Sequence, residues 1–305
     1  DVVIARNTLD KGSLLSENMS DSFHTIEQIP PGHKVAIRCI SEGEPIKKFN
    51  QIIGFAEKNI KPGEHVHNHN MSFGNFEREY KIKENSKPSI VLPESARATF
   101  SGIIRQDGRI ATRNYLAVLT SVNCSATVAR YIADHFRFNT LNSYHNVDGV
   151  IALSHHSGCG MGKTSDGFSY LRRTLAGYAN HPNIAGFLLL GLGCEVNQVS
   201  ELFTELDIAE SKMSRFMTIQ DSGGTTSTVK QGITVISEML EEANLIKRDC
   251  VAASNLILGL ECGGSDGFSG ITANPSLGRA VDILVSNGGT AILGETPEIY
   301  GAEHL

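Results

Sequence analysis

The sequence predicts an α/β protein with a small all-β module at its N-terminus. Three observations lead there. Residues 1–72 carry short apolar stretches cut by turn signals, with no sustained helical period. Residues 73–97 are charged and polar and read as a linker. From residue 98 onward, apolar runs of strand length alternate with helical patterns, as in parallel sheets covered on both faces.

In the first module, residues 2–5, 34–40, 45–49 and 52–55 read as strands. Between them stand Pro30-Pro31-Gly32, Glu42-Gly43-Glu44 and Lys61-Pro62-Gly63, and the module closes on Gly63-Glu64-His65-Val66-His67-Asn68-His69-Asn70. The linker holds Glu77-Arg78-Glu79, Lys81-Ile82-Lys83-Glu84, Pro88 and Pro93. Beyond it, strands are expected at 115–122, 149–153, 184–190 and 216–220. The helices that follow them fall at 125–136, 166–178, about 198–206 and 225–243. In the last helix Val229, Ile233, Ile236 and Leu240 share one face at helical spacing.

The polar stretch 241–249 separates this α/β domain, 98–245, from a second one, 246–305. The second has two expected strands, 255–260 and 290–293, around a helix near 277–285. A two-stranded parallel sheet buries little of itself. With Asp rather than Met at residue 1, the chain is expected to be a fragment that lacks a C-terminal portion.

Composition narrows the function. The net charge of −6 disfavours nucleic acid or an anionic membrane as partner. No apolar run approaches the ~20 residues of a membrane helix. No signal peptide opens the sequence, so a cytoplasmic protein is expected, its six Cys being reduced thiols or metal ligands.

Four Cys share one position type. Cys124, Cys159, Cys194 and Cys262 each follow an expected strand, where open α/β sheets place their sites. A Cys at a helix N-terminus also has a lowered pKa, which favours the metal-binding thiolate. The plainer alternative is a small apolar residue suited to tight turns. Cys39 and Cys250 lack this context and read as structural. His65, His67 and His69, at period two, point to one side of an extended segment and suit iron, zinc or manganese. His155-His156 adds a pair at a strand end; His33 and the remaining His read as isolated polar residues.

The segment Ser157-Gly158-Cys159-Gly160-Met161-Gly162-Lys163-Thr164 nearly matches a phosphate-binding loop. Its first position is Ser, and no Asp follows the later strand to hold magnesium. A nucleotide-binding protein using this segment is the rival reading, and the same backbone amides with Lys163 suit another anion. The Gly-rich loop from Glu261 to Pro275 combines carboxylates, hydroxyls and an amide suited to a polyhydroxylated ligand.

Six stretches carry a resemblance: residues 63–70, 102–114, 121–124, 155–160, 191–198 and 260–275. Through them the chain resembles the altronate dehydratase and galactarate dehydratase family of sugar-acid hydro-lyases. The resemblance implies an SAF-like N-terminal module, 1–72, joined to α/β domains, with dependence on Fe2+ or a similar divalent ion such as Mn2+. The His-rich stretch resembles the altronate branch, which implies dehydration of D-altronate to 2-keto-3-deoxy-D-gluconate. Galactarate, or the leaving group of a sulfolactate-type lyase, is the alternative within the family. Family members run well beyond this length.

That chemistry assigns expected roles. His65, His67, His155 and His156 are candidates for acid and base work. His67, His69, Cys159, Cys194 and Cys262 are metal-ligand candidates. Arg109, Arg113 and Lys163 would hold the carboxylate, and Asp266, Ser269, Thr272 and Asn274 the sugar hydroxyls. Three converging thiols would also suit an iron–sulfur cluster with an open iron. The partner is a small sugar acid, without nucleic acid or membrane; a homo-oligomer is compatible with this.

Overall fold

The computed structural model describes residues 1–15, 22–76, 81–137, 140–205, 211–299 and 302–304. Glu77-Arg78-Glu79 of the expected linker and the end of the expected helix at residue 206 lie outside them. The chain divides into two compact units, Asp1–Arg97 with Ala253–Leu305, and Ala98–Ala252.

The N-terminal module repeats one device four times. An apolar residue (Leu9, Ile29, Ile40 or Ile60) pairs across to another, Leu9 with Ile29 and Ile40 with Ile60. A tight turn follows, ending in Gly12, Gly32, Gly43 or Gly63 with φ between +79° and +86°, a region that side chains disfavour. A short strand then leaves. The strands are β1 (Val2–Ile4), β2 (Leu14–Leu15), β3 (Phe23–His24), β4 (Lys34–Ala36), β5 (Pro45–Lys48), β6 (Gln51–Ala56), β7 (His65–Val66) and β8 (Met71–Ser72). They pair antiparallel as β1-β4-β7, β5-β6-β8 and β2-β3. Val2, Ala36, Ile40, Ile46, Ala56, Ile60 and Val66 fill the main core of the module.

The second unit opens with β9 (Thr99–Ile104) and β10 (Ile110–Ala111), an antiparallel hairpin. Its turn holds Asp107-Gly108, with Gly108 at φ +82°. Then come β11 (Tyr115–Thr120), α1 (Ala126–His135), β12 (Gly149–Leu153), α2 (Asp166–Ala179), β13 (Ile184–Gly191), α3 (Val199–Glu205), β14 (Ser214–Thr218) and α4 (Thr225–Asn244). The four strands form one parallel sheet in the order β12-β11-β13-β14. The strand period of two divides its core. Leu116, Val118, Leu188 and Leu190 pack against α1 and α4, whereas Ala117, Leu119, Phe187 and Leu189 pack against α2 and α3. The four apolar residues of α4 all join the first of these cores. Both faces of β11 and β13 are therefore dry, which explains their continuous apolar runs.

The polar stretch after α4 does not start a new unit. It leads into β15 (Asp249–Ala252), which pairs antiparallel with β9, Thr99 opposite Ala252. The strands β9, β10 and β15 escaped the α/β rhythm because they alternate with no helix. Beyond them β16 (Ile257–Leu260), α5 (Ala273–Ser286) and β17 (Thr290–Leu293) make the expected two-stranded parallel pair. Among the described residues no helix is long and apolar enough to cross a membrane.

Candidate functional site

Strand pairing gathers the imidazoles. In β4 and β7, Lys34 stands opposite Val66 and Val35 opposite His65. His33, His65 and His67 therefore share one face of the antiparallel pair. His33 Nδ1 lies 2.8 Å from His65 Nε2. The His33 ring stacks on His67 at 5.2 Å and 18°, and His69 lies 5.3 Å from His65. The buried side chain of Asn70 fixes the turn: it accepts from the His67 N–H at 3.0 Å and donates to the His65 carbonyl at 2.9 Å. His33, read from the sequence as isolated, is thus a fourth member of the group. Its signal was the repeated turn, which sets Gly32-His33 beside the strand after Gly63.

A hydrogen bond between two imidazole nitrogens holds one proton, so the group resists full protonation. Burial, then the charges of His33, His69 and His67, hold His65 below the ordinary imidazole pKa. The ring therefore stays neutral, as a base requires. The expectation of His67 and His69 as metal ligands finds no three-nitrogen site to support it. Among the described residues, no three imidazole nitrogens come within 4.8 Å of one another.

In the same unit, the loop after β16 packs on the turn before His33. A Cβ on Gly267 would lie 2.4 Å from the Gly32 carbonyl oxygen, so only glycine fits. Asp266 commits one carboxylate oxygen to its own loop. Its Oδ1 accepts from the N–H groups of Phe268 (2.7 Å) and Ser269 (2.9 Å), which hold its pKa down. The Thr272 hydroxyl donates to the Phe268 carbonyl at 2.9 Å. These two residues shape the loop. Cys262, Ser269 and Asn274 instead line a cavity of about 590 Å3, together with Glu261, Glu295 and Glu298. Ligand atoms of Cys262, Glu295 and Glu298 all lie within 4.8 Å of one another. The Cys262 N–H donates to Glu295 Oε2 at 2.8 Å, which aims that carboxylate. Two carboxylates and a thiol fit an ion such as Fe2+ or Mn2+.

In the other unit, three thiols meet at the carboxyl ends of adjacent strands β12, β11 and β13. Cys124 and Cys159 are hydrogen-bonded to each other, and Cys194 is within electrostatic reach. Their loops interlock. The Asn123 N–H donates to the Ser157 carbonyl at 2.8 Å, and a Cβ on Gly158 would lie 2.6 Å from the Ser121 carbonyl. The buried Glu195 accepts from the Ser121 hydroxyl (2.7 Å) and from the Leu192 and Gly193 N–H groups (3.1 and 2.6 Å). The helix N-terminus was expected to lower the Cys124 pKa. Instead desolvation, then the Cys159 charge and hydrogen bond and the Cys194 charge, raise it.

Five expected site residues stand elsewhere. Both His155 nitrogens are engaged by backbone: Nδ1 accepts from the Ser157 N–H at 3.1 Å and Nε2 donates to the Thr120 carbonyl at 2.8 Å. It is a clasp between strand ends, while His156 is exposed. Arg109 and Arg113 lie at the amino ends of the parallel strands, paired with Asp107 (2.6 Å) and Asp148 (3.9 Å). Lys163 meets both oxygens of Glu201 at 3.0 and 3.1 Å. Helix α2 begins at Asp166, capped by Ser165, so Lys163 and Thr164 precede its first turn.

Known proteins match along the same divisions. The altronate/galactarate dehydratase SAF domain matches residues 1–73. The second domain of D-galactarate dehydratase/altronate hydrolase matches 102–244, and the D-galactarate/altronate dehydratase C-terminal domain matches 253–305. This modular plan is that of sugar-acid dehydratases. The chain belongs to the D-galactarate dehydratase/altronate hydrolase family. It is 34% identical over 307 residues to an altronate dehydratase of Bacillus subtilis strain 168, and 35% over 307 residues to one of Escherichia coli strain K12. Over 302 residues it is 33% identical to the galactarate dehydratase (L-threo-forming) of E. coli K12. The first two matches take in the whole chain and the third 97% of it, against 60%, 60% and 58% of the relatives. The chain thus spans about three fifths of their length.

Proposed function

We propose that the protein of which this chain is a part dehydrates a sugar acid in a metal-dependent reaction, with D-altronate as substrate and 2-keto-3-deoxy-D-gluconate and water as products. The observation that carries this reading is the chain-long similarity to two altronate dehydratases. The imidazole-rich stretch 63–70 favours altronate over galactarate.

Dehydration removes a weakly acidic proton beside a carboxylate and expels the neighbouring hydroxyl. His65, kept neutral by burial and by its neighbours, suits the base. His33 holds one His65 nitrogen at 2.8 Å and so provides an exit for the proton. His67 and His69, beside it, would protonate the departing hydroxide. Asn274 would offer hydrogen bonds to substrate hydroxyls from the cavity wall, and the Ser269 hydroxyl, bonded here to Asp266, would join it on exchanging that partner. Cys262, Glu295 and Glu298 would hold the divalent ion, which supplies electrostatic stabilisation of charge building on the carboxylate.

The test is an anaerobic assay with ferrous iron on this chain and on a version extended to its relatives' length. 2-Keto-3-deoxy acid is followed from altronate and galactarate in parallel. Product from altronate in excess of galactarate is expected. An extended protein inactive on both substrates would overturn the reading.

A further inference from the structure

We propose that Cys124, Cys159 and Cys194 together bind an iron–sulfur cluster of the four-iron type through three of its irons, leaving the fourth open. Topology carries the proposal. The three thiols project from the ends of three adjacent parallel strands, and their loops are hydrogen-bonded into one platform. All three are exposed, so a cofactor can reach them. The expected set of Cys159, Cys194 and Cys262 changes: Cys124 joins the first two, and Cys262 belongs to the carboxylate group of the other unit.

Two features separate a cluster from a single ion. A lone tetrahedral ion with Zn–S bonds of about 2.3 Å needs its sulfurs within about 4 Å of one another. The three sulfurs do not come within 4.8 Å of one another as a set. Cys124 and Cys159 are a close pair and Cys194 stands off from them, and a set of thiolates selects clusters over hard single ions.

A second observation points to a ligand. Asn197 is fully buried on the loop that carries Cys194, anchored by its Nδ2 to the Ser121 carbonyl at 3.2 Å. Its Oδ1 has no hydrogen-bond partner. An acceptor beside the platform suits a donor such as a water or substrate hydroxyl on the open iron. In this unit Cys250 lies on β15, in the antiparallel sheet, and is not positioned to close the fourth site.

A cluster of this kind rests on the dehydration reading for its use, but not for its existence. The experiment therefore reads the cluster and not turnover. The full chain is incubated anaerobically with ferrous iron, sulfide and a thiol reductant, then desalted. About four iron and four acid-labile sulfide per chain are expected, with a visible absorption that dithionite bleaches. Cys124→Ser, Cys159→Ser and Cys194→Ser should each lose it, whereas Cys250→Ser and Glu295→Gln keep it. Alkylation of the wild-type chain before and after loading needs no variant. Loading should protect Cys124, Cys159 and Cys194 and leave Cys39, Cys250 and Cys262 reactive, read by peptide mass spectrometry. Iron bound without sulfide, or protection of a different set of thiols, would overturn the proposal. A cluster in an enzyme inactive on every sugar acid would leave it standing and remove the dehydration reading instead.

Discussion

Asn70 shows how one buried amide can set the geometry of a chemical group it does not join. It caps the turn from His67 to His69 and ties back to the His65 carbonyl. Asn70→Ala would strand a buried N–H and a carbonyl, at a cost of about 1–3 kcal/mol. A lower melting temperature and a lower kcat in the extended protein are expected. A variant that melts early with kcat unchanged would show that the turn does not position the rings. His65 makes a pH prediction. Its folded pKa lies below the ordinary 6.5, so the unfolded chain binds the proton more readily. Stability contributed by the neutral ring is present above pH 6.5 and falls as pH drops below it toward the folded value. Denaturant titrations of the chain and of His65→Gln across that window should converge at low pH. Parallel curves would show that the ring titrates normally. A third residue, Gly63, is constrained twice. Its φ is +86°, and an added Cβ would stand 2.1 Å from the His24 carbonyl oxygen. Strained backbone alone costs about 1–3 kcal/mol, so Gly63→Ala should unfold the module before the rest of the chain.

At the scale of elements, close packing outweighs helix propensity. Gly232 lies buried inside α4, and its Cβ would stand 2.4 Å from Ile132 Cδ1 on α1. Alanine would improve the helix by about 1 kcal/mol. Overpacking a fully buried isoleucine costs about 1–3 kcal/mol. Gly232→Ala is therefore expected to lower the melting temperature, and Ile132→Val should recover part of the loss by removing the clashing methyl. Independent, additive effects would refute the contact. The same scale explains what was legible in the sequence. Strands 149–153 and 290–293 were readable to the residue, and α4 nearly so, because period and burial coincide in them. The hairpin of β9 and β10 carried a signal in Asp107-Gly108, yet its partner β15 lies far along the chain. Strand register between distant segments leaves no local trace. That is why His33 was missed, and why Cys262 was grouped with thiols of another unit. A shared position after a strand did not specify which sheet that strand would join.

At the scale of the whole chain, the unit Ala98–Ala252 is built as an insertion. It enters on β9 and leaves on β15, and these pair with Thr99 opposite Ala252 and Asp249 opposite Gly102. Its ends are therefore neighbouring residues of one sheet, which is the geometry that tolerates domain insertion and excision. It also owns its core. Both faces of the parallel sheet are filled by helices from within the unit, with Leu116, Leu188, Ile132 and Leu240 fully or almost fully buried. Burial of each such side chain contributes about 1.5–3 kcal/mol, and all of it comes from within the unit. A fragment of residues 98–252 is expected to fold alone and to unfold in one cooperative transition, monitored by circular dichroism and by near-ultraviolet signals together. Leu188→Ala within that fragment should cost about 2–5 kcal/mol, since it opens a cavity between sheet and helices. A fragment with helical content but no cooperative melt would show that the unit borrows its order from the segments on either side.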